Sequence, residues 1–170
     1  GRVIAILLAA SWAWVSWAFL HLRFAPIHWV ANGYAAAFFL QALLLFIYGI
    51  WCRGLEFEAG NPVRAVSGVI LLLGALLVMP ATAYLTGREW VQAELFAMTP
   101  DATALATLGL LLLAKGRVAI WLAAIPVAWC FITGATLWAL EAPEAKILPA
   151  GDILTITMML VPTRRRESAN

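Results

Sequence analysis

Charged residues are scarce in this 170-residue chain. Only 12% of its residues are Asp, Glu, Lys or Arg, whereas 64% are hydrophobic, and the mean hydropathy is +0.92. Such a composition lies outside the range of soluble domains and is typical of an integral membrane protein. The net charge is only +2 and the basic residues are dispersed along the chain, so we expect no nucleic-acid partner. The lipid bilayer is the partner that this composition predicts.

Motifs for catalysis and for metal binding are also missing. The chain has no Gly-x-Ser-x-Gly elbow, no glycine-rich phosphate loop, and no HExxH, HxxxH, CxxC or DxD spacing. Its two cysteines, Cys52 and Cys130, are too few for a disulfide framework, and we interpret both as small buried apolar residues. The sequence therefore predicts neither an enzyme nor a bound cofactor or metal.

Long apolar runs are what the chain does contain. A transmembrane helix needs roughly 20 apolar residues. Four runs reach that length, and two further runs are shorter. The long runs are Val3–Leu22, Trp29–Trp51, Val66–Leu85 and Val118–Leu140, and the short ones are Ala102–Ala114 and Ile147–Val161. We expect an all-α fold: a polytopic transmembrane bundle of about six helices, with residues 1–170 forming one domain and little mass outside the membrane. Pro126 predicts a kink in the fifth helix.

Each short run begins near a proline, Pro100 or Pro149. Proline suits the first position of a helix, where its missing N–H would be unpaired in any case. Thr99 is then a candidate N-cap, and Asp101 falls in the first turn, where the helix dipole favours negative charge. Two interpretations stay open. Either both helices extend into the membrane interface, or they start below it and leave a recess on the outer side.

The basic residues are distributed unequally between the two sides of the predicted bundle. Most of them fall in gaps on one side, which the positive-inside rule assigns to the cytoplasm. These are Arg2, Arg53, Arg64, Lys115, Arg117, Arg164, Arg165 and Arg166, and the exceptions are Arg23, Arg88 and Lys146. The outer gaps instead collect acids: Glu89, Glu94, Asp101, Glu141, Glu144 and Asp152. We therefore expect a multi-pass protein of the bacterial inner membrane, with both ends of this chain in the cytoplasm.

The outer layer is the best candidate for a functional site. Ionisable residues within or just below a bilayer surface are costly and are by default a functional hypothesis. The candidates are His21, Arg23, His28, Asn32, Glu94, Asp101 and Asp152. Together they could bind a cation or relay protons. In the alternative interpretation the two aspartates cap helices, Arg23 pairs with an acid, and the histidines rest among lipid headgroups.

Tryptophan and glutamine give weaker signals. Most of the nine tryptophans suit interfacial belts or packing, but Trp12, Trp14 and Trp129 fall deeper in their runs and could line a pocket. Gln41, near the middle of the second run, is expected to hydrogen-bond between helices.

Several segments resemble a family of uncharacterised bacterial multi-pass integral membrane proteins known only as a domain of unknown function. The segments are WAFLHLRFAPIH (17–28), QALLL (41–45), FAMTPDATALATLGLLL (96–112) and IPVAW (125–129) with Gly134. The family pattern often has glycine at the position of Ala97 and a small polar residue at that of Asp101. Its members carry a further N-terminal helix, which agrees with a chain that starts at Gly1. The resemblance implies no activity.

Three functions therefore remain open. The first is a small transporter-like or channel-like protein with an acidic recess that faces outward. The second is a structural or accessory subunit that acts through helix–helix partners or as a homo-oligomer. The third is a membrane enzyme acting on a cofactor or a lipid.

Overall fold

The computed structural model describes residues 1–26, 28–51, 55–57, 61–85, 93–116, 118–142 and 145–160. Within these residues the chain forms six helices, and the expected all-α bundle is confirmed. We number them in chain order. Helix α1 is Arg2–Trp14 and continues as a π-helix over Val15–Phe24, and helix α2 is Ala31–Phe46 and continues as a π-helix over Ile47–Trp51. Helix α3 consists of Pro62–Leu73, Gly74–Val78 and Met79–Leu85, helix α4 is Pro100–Leu113, helix α5 consists of Val118–Leu122 and Ala124–Ala139, and helix α6 is Ile147–Leu160. Four of the six, namely α1, α2, α3 and α5, are long and apolar enough to cross a membrane, by length and composition. Helices α4 and α6 have 14 residues each, as the short runs predict.

Helix α4 is short because it lies inside the bundle. It packs most extensively against α3, and also against α1, α5 and α6, so that nearly every one of its residues is buried. At its crossing with α3 the two backbones nearly touch, since a Cβ atom on Gly68 would lie 2.7 Å from the carbonyl oxygen of Gly109. Small residues permit this close approach. A helix enclosed by others has no need to match the thickness of a bilayer by itself.

Helix α5 is interrupted at Ala123, close to the kink that Pro126 predicts. Proline has no N–H, so the carbonyl of Leu122, four residues earlier, loses its helical donor. The amide nitrogen of Gln41 on α2 donates to this carbonyl at 2.8 Å, and the Gln41 side chain is fully buried. The expected interhelical role of Gln41 is confirmed, with a specific cause.

The two ends of the bundle differ. At the end where α3 begins, two-residue strands β1, Glu56–Phe57, and β2, Ala114–Lys115, pair antiparallel. There Arg64, which is largely buried, donates to the carbonyl of Leu111 at 3.5 Å, in the last turn of α4 where the helix dipole favours a cation. The opposite end, where α1 ends and α4 begins, has no such ladder among the described residues and opens into a cleft.

Some helix boundaries differ from those that the sequence predicts. The second helix begins at Ala31 rather than Trp29, which instead occupies an exposed turn. Cys130 is buried and free, as expected, whereas Cys52 lies outside the described residues. Residues 86–92 also lie outside them, and so do several of the charged residues that orient the chain, including Arg53, Arg88, Arg117 and Arg164.

Candidate functional site

The cleft has a volume of about 1020 Å³ and lies between the end of α1, the start of α2, the segment before α4, and the last turns of α5. Much of its wall is aromatic and apolar. Its charged or titratable lining residues within the described chain are Arg23, His28, Tyr34, Glu94 and Asp101. Four of the seven predicted site residues thus share one cavity.

Asp101 is held in place by a neighbouring helix. It follows Pro100, the first residue of α4, and its side chain is half-buried. The indole N–H of Trp129 on α5 donates to its Oδ1 at 2.6 Å, and the hydroxyl of Thr133, one turn later on α5, lies within interaction distance of the same carboxyl. A carboxylate offers about four acceptor positions, so these contacts leave capacity for a ligand. Asp101 is fixed by a neighbouring helix, which is more than helix capping requires.

The turn before α4 sets the position of Asp101. Ala97 has a φ of 63°, a left-handed conformation that costs residues other than glycine roughly 1–2 kcal/mol. Its N–H donates to the hydroxyl of Thr103 at 3.0 Å, and that hydroxyl donates to the carbonyl of Thr99 at 2.7 Å. Thr99 occupies the predicted N-cap position without a side-chain cap, because its hydroxyl is directed to the carbonyl of Leu95. A side chain inside α4 therefore closes the turn that presents Asp101.

An aromatic cluster supports Trp129 in its turn. Tyr34 and Phe38 on α2 contact the Trp129 ring edge-on, with ring centroids 5.3 and 4.9 Å away. Such edge-to-face pairs are a preferred geometry for aromatic rings. Phe38 also packs on the fully buried Trp12, whose indole N–H donates to the hydroxyl of Thr107 at 2.8 Å. Trp129 thus forms part of the cleft wall, and Trp12 supports it from behind through Phe38.

The other lining residues lie nearer to solvent. Arg23 and His28 are exposed, and the His28 ring stacks on Phe24 with centroids 5.8 Å apart. Glu94 is half-buried in the segment before α4. Asp101 and Glu94 are therefore the half-buried charged groups of the cleft, and Arg23 is the exposed one.

His21 and Asn32 form a separate pair. The His21 ring lies 3.1 Å from Asn32 Oδ1 and stacks on Trp17, and neither residue lines the cleft. Their bond links α1 to α2 at the surface.

Asp152 also lies outside the cleft, in the interior of the bundle. Only 4% of its surface is exposed, and neither carboxylate oxygen accepts a hydrogen bond from any described residue. The predicted grouping of seven residues thus resolves into three places, and a functional role for each remains a prediction.

Sequence reasoning did not single out Thr133 and Tyr34 as part of a site. Thr133 reaches Asp101 because α5 packs against α4, and Tyr34 contacts Trp129 because α2 packs against α5. Spacing along one chain does not show these contacts. Trp129 carried a signal, since its run places it too deep for an interfacial belt. In the described part of the chain no group of three or more His, Cys, Asp or Glu residues could hold a metal ion.

Comparison with known proteins gives a family and no activity. The model of a family of unknown function, DUF6064, matches residues 1–170, so the chain belongs to this family. No curated protein and no solved structure matches the chain. The family resemblance seen in the sequence is confirmed.

Proposed function

For this member of a family of unknown function, we propose an integral membrane protein whose cleft binds a small organic cation, as a transporter-like protein does. The observation that carries the proposal is the Asp101 carboxylate, oriented by Trp129 within an aromatic cleft of about 1020 Å³. The volume matches that of cavities that hold small molecules.

Membrane insertion is supported by the outer surface of the bundle. Helix α3 exposes Val66, Val69, Ile70, Leu73 and Leu77, each more than two-fifths exposed. A continuous apolar surface of this kind is unfavourable in water and suits lipid. The excess of basic residues in the gaps away from the cleft favours an orientation with the cleft on the outer side.

The charge of the solute follows from the depth of the charged groups. Asp101 lies deeper than the exposed Arg23, and Glu94 adds a second acid to the lining. A ligand that enters such a cleft places its positive end against Asp101.

The aromatic wall favours an organic cation over a metal ion. Trp14, Phe19, Tyr34 and Trp129 line the cleft, and aromatic faces attract ammonium groups while offering no ligand to a hard metal ion. Quaternary ammonium compounds are recognised by this combination of rings and a carboxylate. We therefore assign the cleft to small ammonium compounds.

The test is calorimetric titration of the purified protein with choline and with its uncharged isostere, in which a tert-butyl group replaces the trimethylammonium. We expect choline to bind more tightly than the isostere. Asp101→Asn should weaken choline binding about 10- to 100-fold, since interactions with a charged group contribute about 1.5–3 kcal/mol. Binding of the isostere should change little.

Glu141→Gln provides the matched control, because it makes the same change of carboxylate to amide at an exposed residue that does not line the cleft. It should bind choline like the wild type. Equal affinity for choline and the isostere, or unchanged choline affinity in Asp101→Asn, would contradict the proposal. Binding without uptake into reconstituted vesicles would instead indicate an accessory, ligand-sensing role.

A further inference from the structure

A second carboxylate in the molecule is not explained by the cleft. Asp152, on α6, is 4% exposed, and neither of its oxygens accepts a hydrogen bond from any described residue. An isolated ionised carboxylate in an apolar interior is very unfavourable, and a buried polar group without a partner has a considerable cost. Ionisable groups that persist inside transmembrane bundles commonly mark proton or ion pathways.

The packing of α5 against α6 fixes what lies opposite Asp152. Gly134 on α5 is the contact point, since a Cβ atom there would lie 2.6 Å from Cγ of Pro149. The two helices run antiparallel. Cys130 precedes Gly134 by about one turn and Asp152 follows Pro149 by about one turn, so both lie on the same level of the bundle.

Cys130 connects the two carboxylates. Its thiol is fully buried and lies near both Asp152 and Asp101. Its neighbours on α5, Trp129 and Thr133, are the residues that contact Asp101. One helical turn, residues 129–133, therefore contacts the cleft carboxylate on one side and lies opposite the buried carboxylate on the other.

Other titratable groups on the elements packed against α6 are few. Helix α4 contributes Asp101, and α5 contributes Cys130 at this level and the exposed Glu141 beyond its far end. Helix α3 contributes Arg64, whose guanidinium donates to the carbonyl of Leu111, and the exposed Tyr84 near its other end. Gly151 packs near Leu71 of α3, seven residues beyond Arg64, which places Arg64 about 10 Å farther along that helix. No described cation therefore faces Asp152 at its own level.

We propose that Asp152 is a proton-binding site that exchanges its proton with the cleft across the turn 129–133. In the uptake step, an O–H bond of a hydronium ion in the cleft breaks and an O–H bond forms on an Asp152 oxygen, so that a water molecule and the neutral carboxylic acid result. Release reverses these changes, and no electron transfer is involved. Proton binding at Asp152 stands on its own geometry, and only its link to solute binding rests on the proposed function.

Infrared difference spectroscopy of the purified protein between acid and alkaline pH tests the proposal. All nine acidic residues contribute carboxyl C=O bands to this difference spectrum. We expect one of the titrating bands to be lost in Asp152→Asn, while Glu141→Gln retains it. In Asp101→Asn the midpoint of this band should shift, because interacting sites titrate together. Identical spectra for the wild type and a folded Asp152→Asn variant would overturn the proposal. An unshifted midpoint in Asp101→Asn would contradict the claim that Asp152 exchanges its proton with the cleft.

Asp152→Glu keeps the experiment decisive if the asparagine variant does not fold. It retains a carboxyl group and should show a titrating band at a displaced frequency, whereas a folded glutamate variant without such a band would also overturn the proposal. The two proposals fail separately. Absence of choline binding would leave the Asp152 band in place, and absence of the band would leave choline binding to Asp101 in place.

Discussion

Asp101 and Asp152 look alike in the sequence and differ in the structure. Each lies near the start of a short apolar helix, close after a proline. Asp101 accepts a hydrogen bond from Trp129 and lines a cleft, whereas Asp152 is buried without a bond from any described residue. The difference arises on the neighbouring helix α5, which presents an indole and a hydroxyl to Asp101, whereas no described residue donates a hydrogen bond to Asp152.

The comparison teaches that a buried acid must be interpreted through the donors that surround it. Hydrogen-bond donors favour the charged form of a carboxylate and fix its orientation, so that it can serve as a binding group. A carboxylate without donors is stabilised by gaining a proton. The two proposals therefore assign different tasks to the two aspartates, the first to binding a cation and the second to binding a proton.

We expect the largest loss of stability on replacing Asp101, whose carboxylate accepts hydrogen bonds. Asp101→Leu leaves the indole N–H of Trp129 and the hydroxyl of Thr133 without their acceptor, and we expect it to lower the free energy of unfolding by about 3 kcal/mol. Asp101→Asn keeps an acceptor oxygen and should cost less. Denaturant unfolding in detergent micelles measures both, and a leucine variant as stable as the wild type would show that the bonds to Asp101 contribute nothing.

Gln41 is intermediate between the two aspartates, since its amide nitrogen is bonded and its Oε1 accepts no bond from a described residue. Gln41→Leu leaves the carbonyl of Leu122 unpaired and should cost about 2 kcal/mol. In a Pro126→Ala background the new N–H can serve that carbonyl, so the same substitution should cost about 1 kcal/mol less. A double-mutant cycle measures both costs. Equal costs in the two backgrounds would show that the contribution of Gln41 to stability does not depend on Pro126.

A smaller change in stability is expected at the turn that presents Asp101. Ala97→Gly relieves a φ of 63° while keeping the N–H that Thr103 accepts, and should stabilise the protein by about 1 kcal/mol. Thermal unfolding measures the gain. Ala93→Gly, in the same segment but without a positive φ, is the control and should give no gain. A loss of stability in Ala97→Gly would show that the strain is absent.

The smallest effect is expected at Asp152. Asp152→Asn removes no hydrogen bond to a described residue, so the free energy of unfolding should change by less than about 1 kcal/mol. Denaturant unfolding at neutral pH checks this value beside Asp101→Leu. A loss as large as that of Asp101→Leu would reveal a bonding partner and would abolish the contrast between the two acids.

Much of the fold follows from the sequence, because its causes are local. Apolar runs give the six helices, Pro100 marks the start of α4, and Pro126 marks the interruption of α5. The sequence also predicts that Gln41 bonds to another helix, because a glutamine in an apolar run needs a hydrogen-bond partner. It does not predict that this partner is the carbonyl of Leu122.

The candidate site follows less completely from the sequence. Arg23, His28, Glu94 and Asp101 share a cleft, but the pairing of His21 with Asn32 and the burial of Asp152 depend on how helices rotate about their axes. Small residues such as Gly109 and Gly134 set those rotations through contacts between distant parts of the chain. Hydrophobic periodicity is weak in helices that are apolar on every side, so the sequence alone does not determine these contacts.

The most direct test of the central claim is chemical protection of the cleft. Thr136 is exposed and lines the cleft, so Thr136→Cys, with Cys52 and Cys130 replaced by alanine, should react in intact cells with a maleimide that does not cross membranes. Choline should slow this reaction when Asp101 is present and should have no effect when Asp101→Asn is added. Labelling that choline never slows, or that it slows equally in both proteins, would contradict the account.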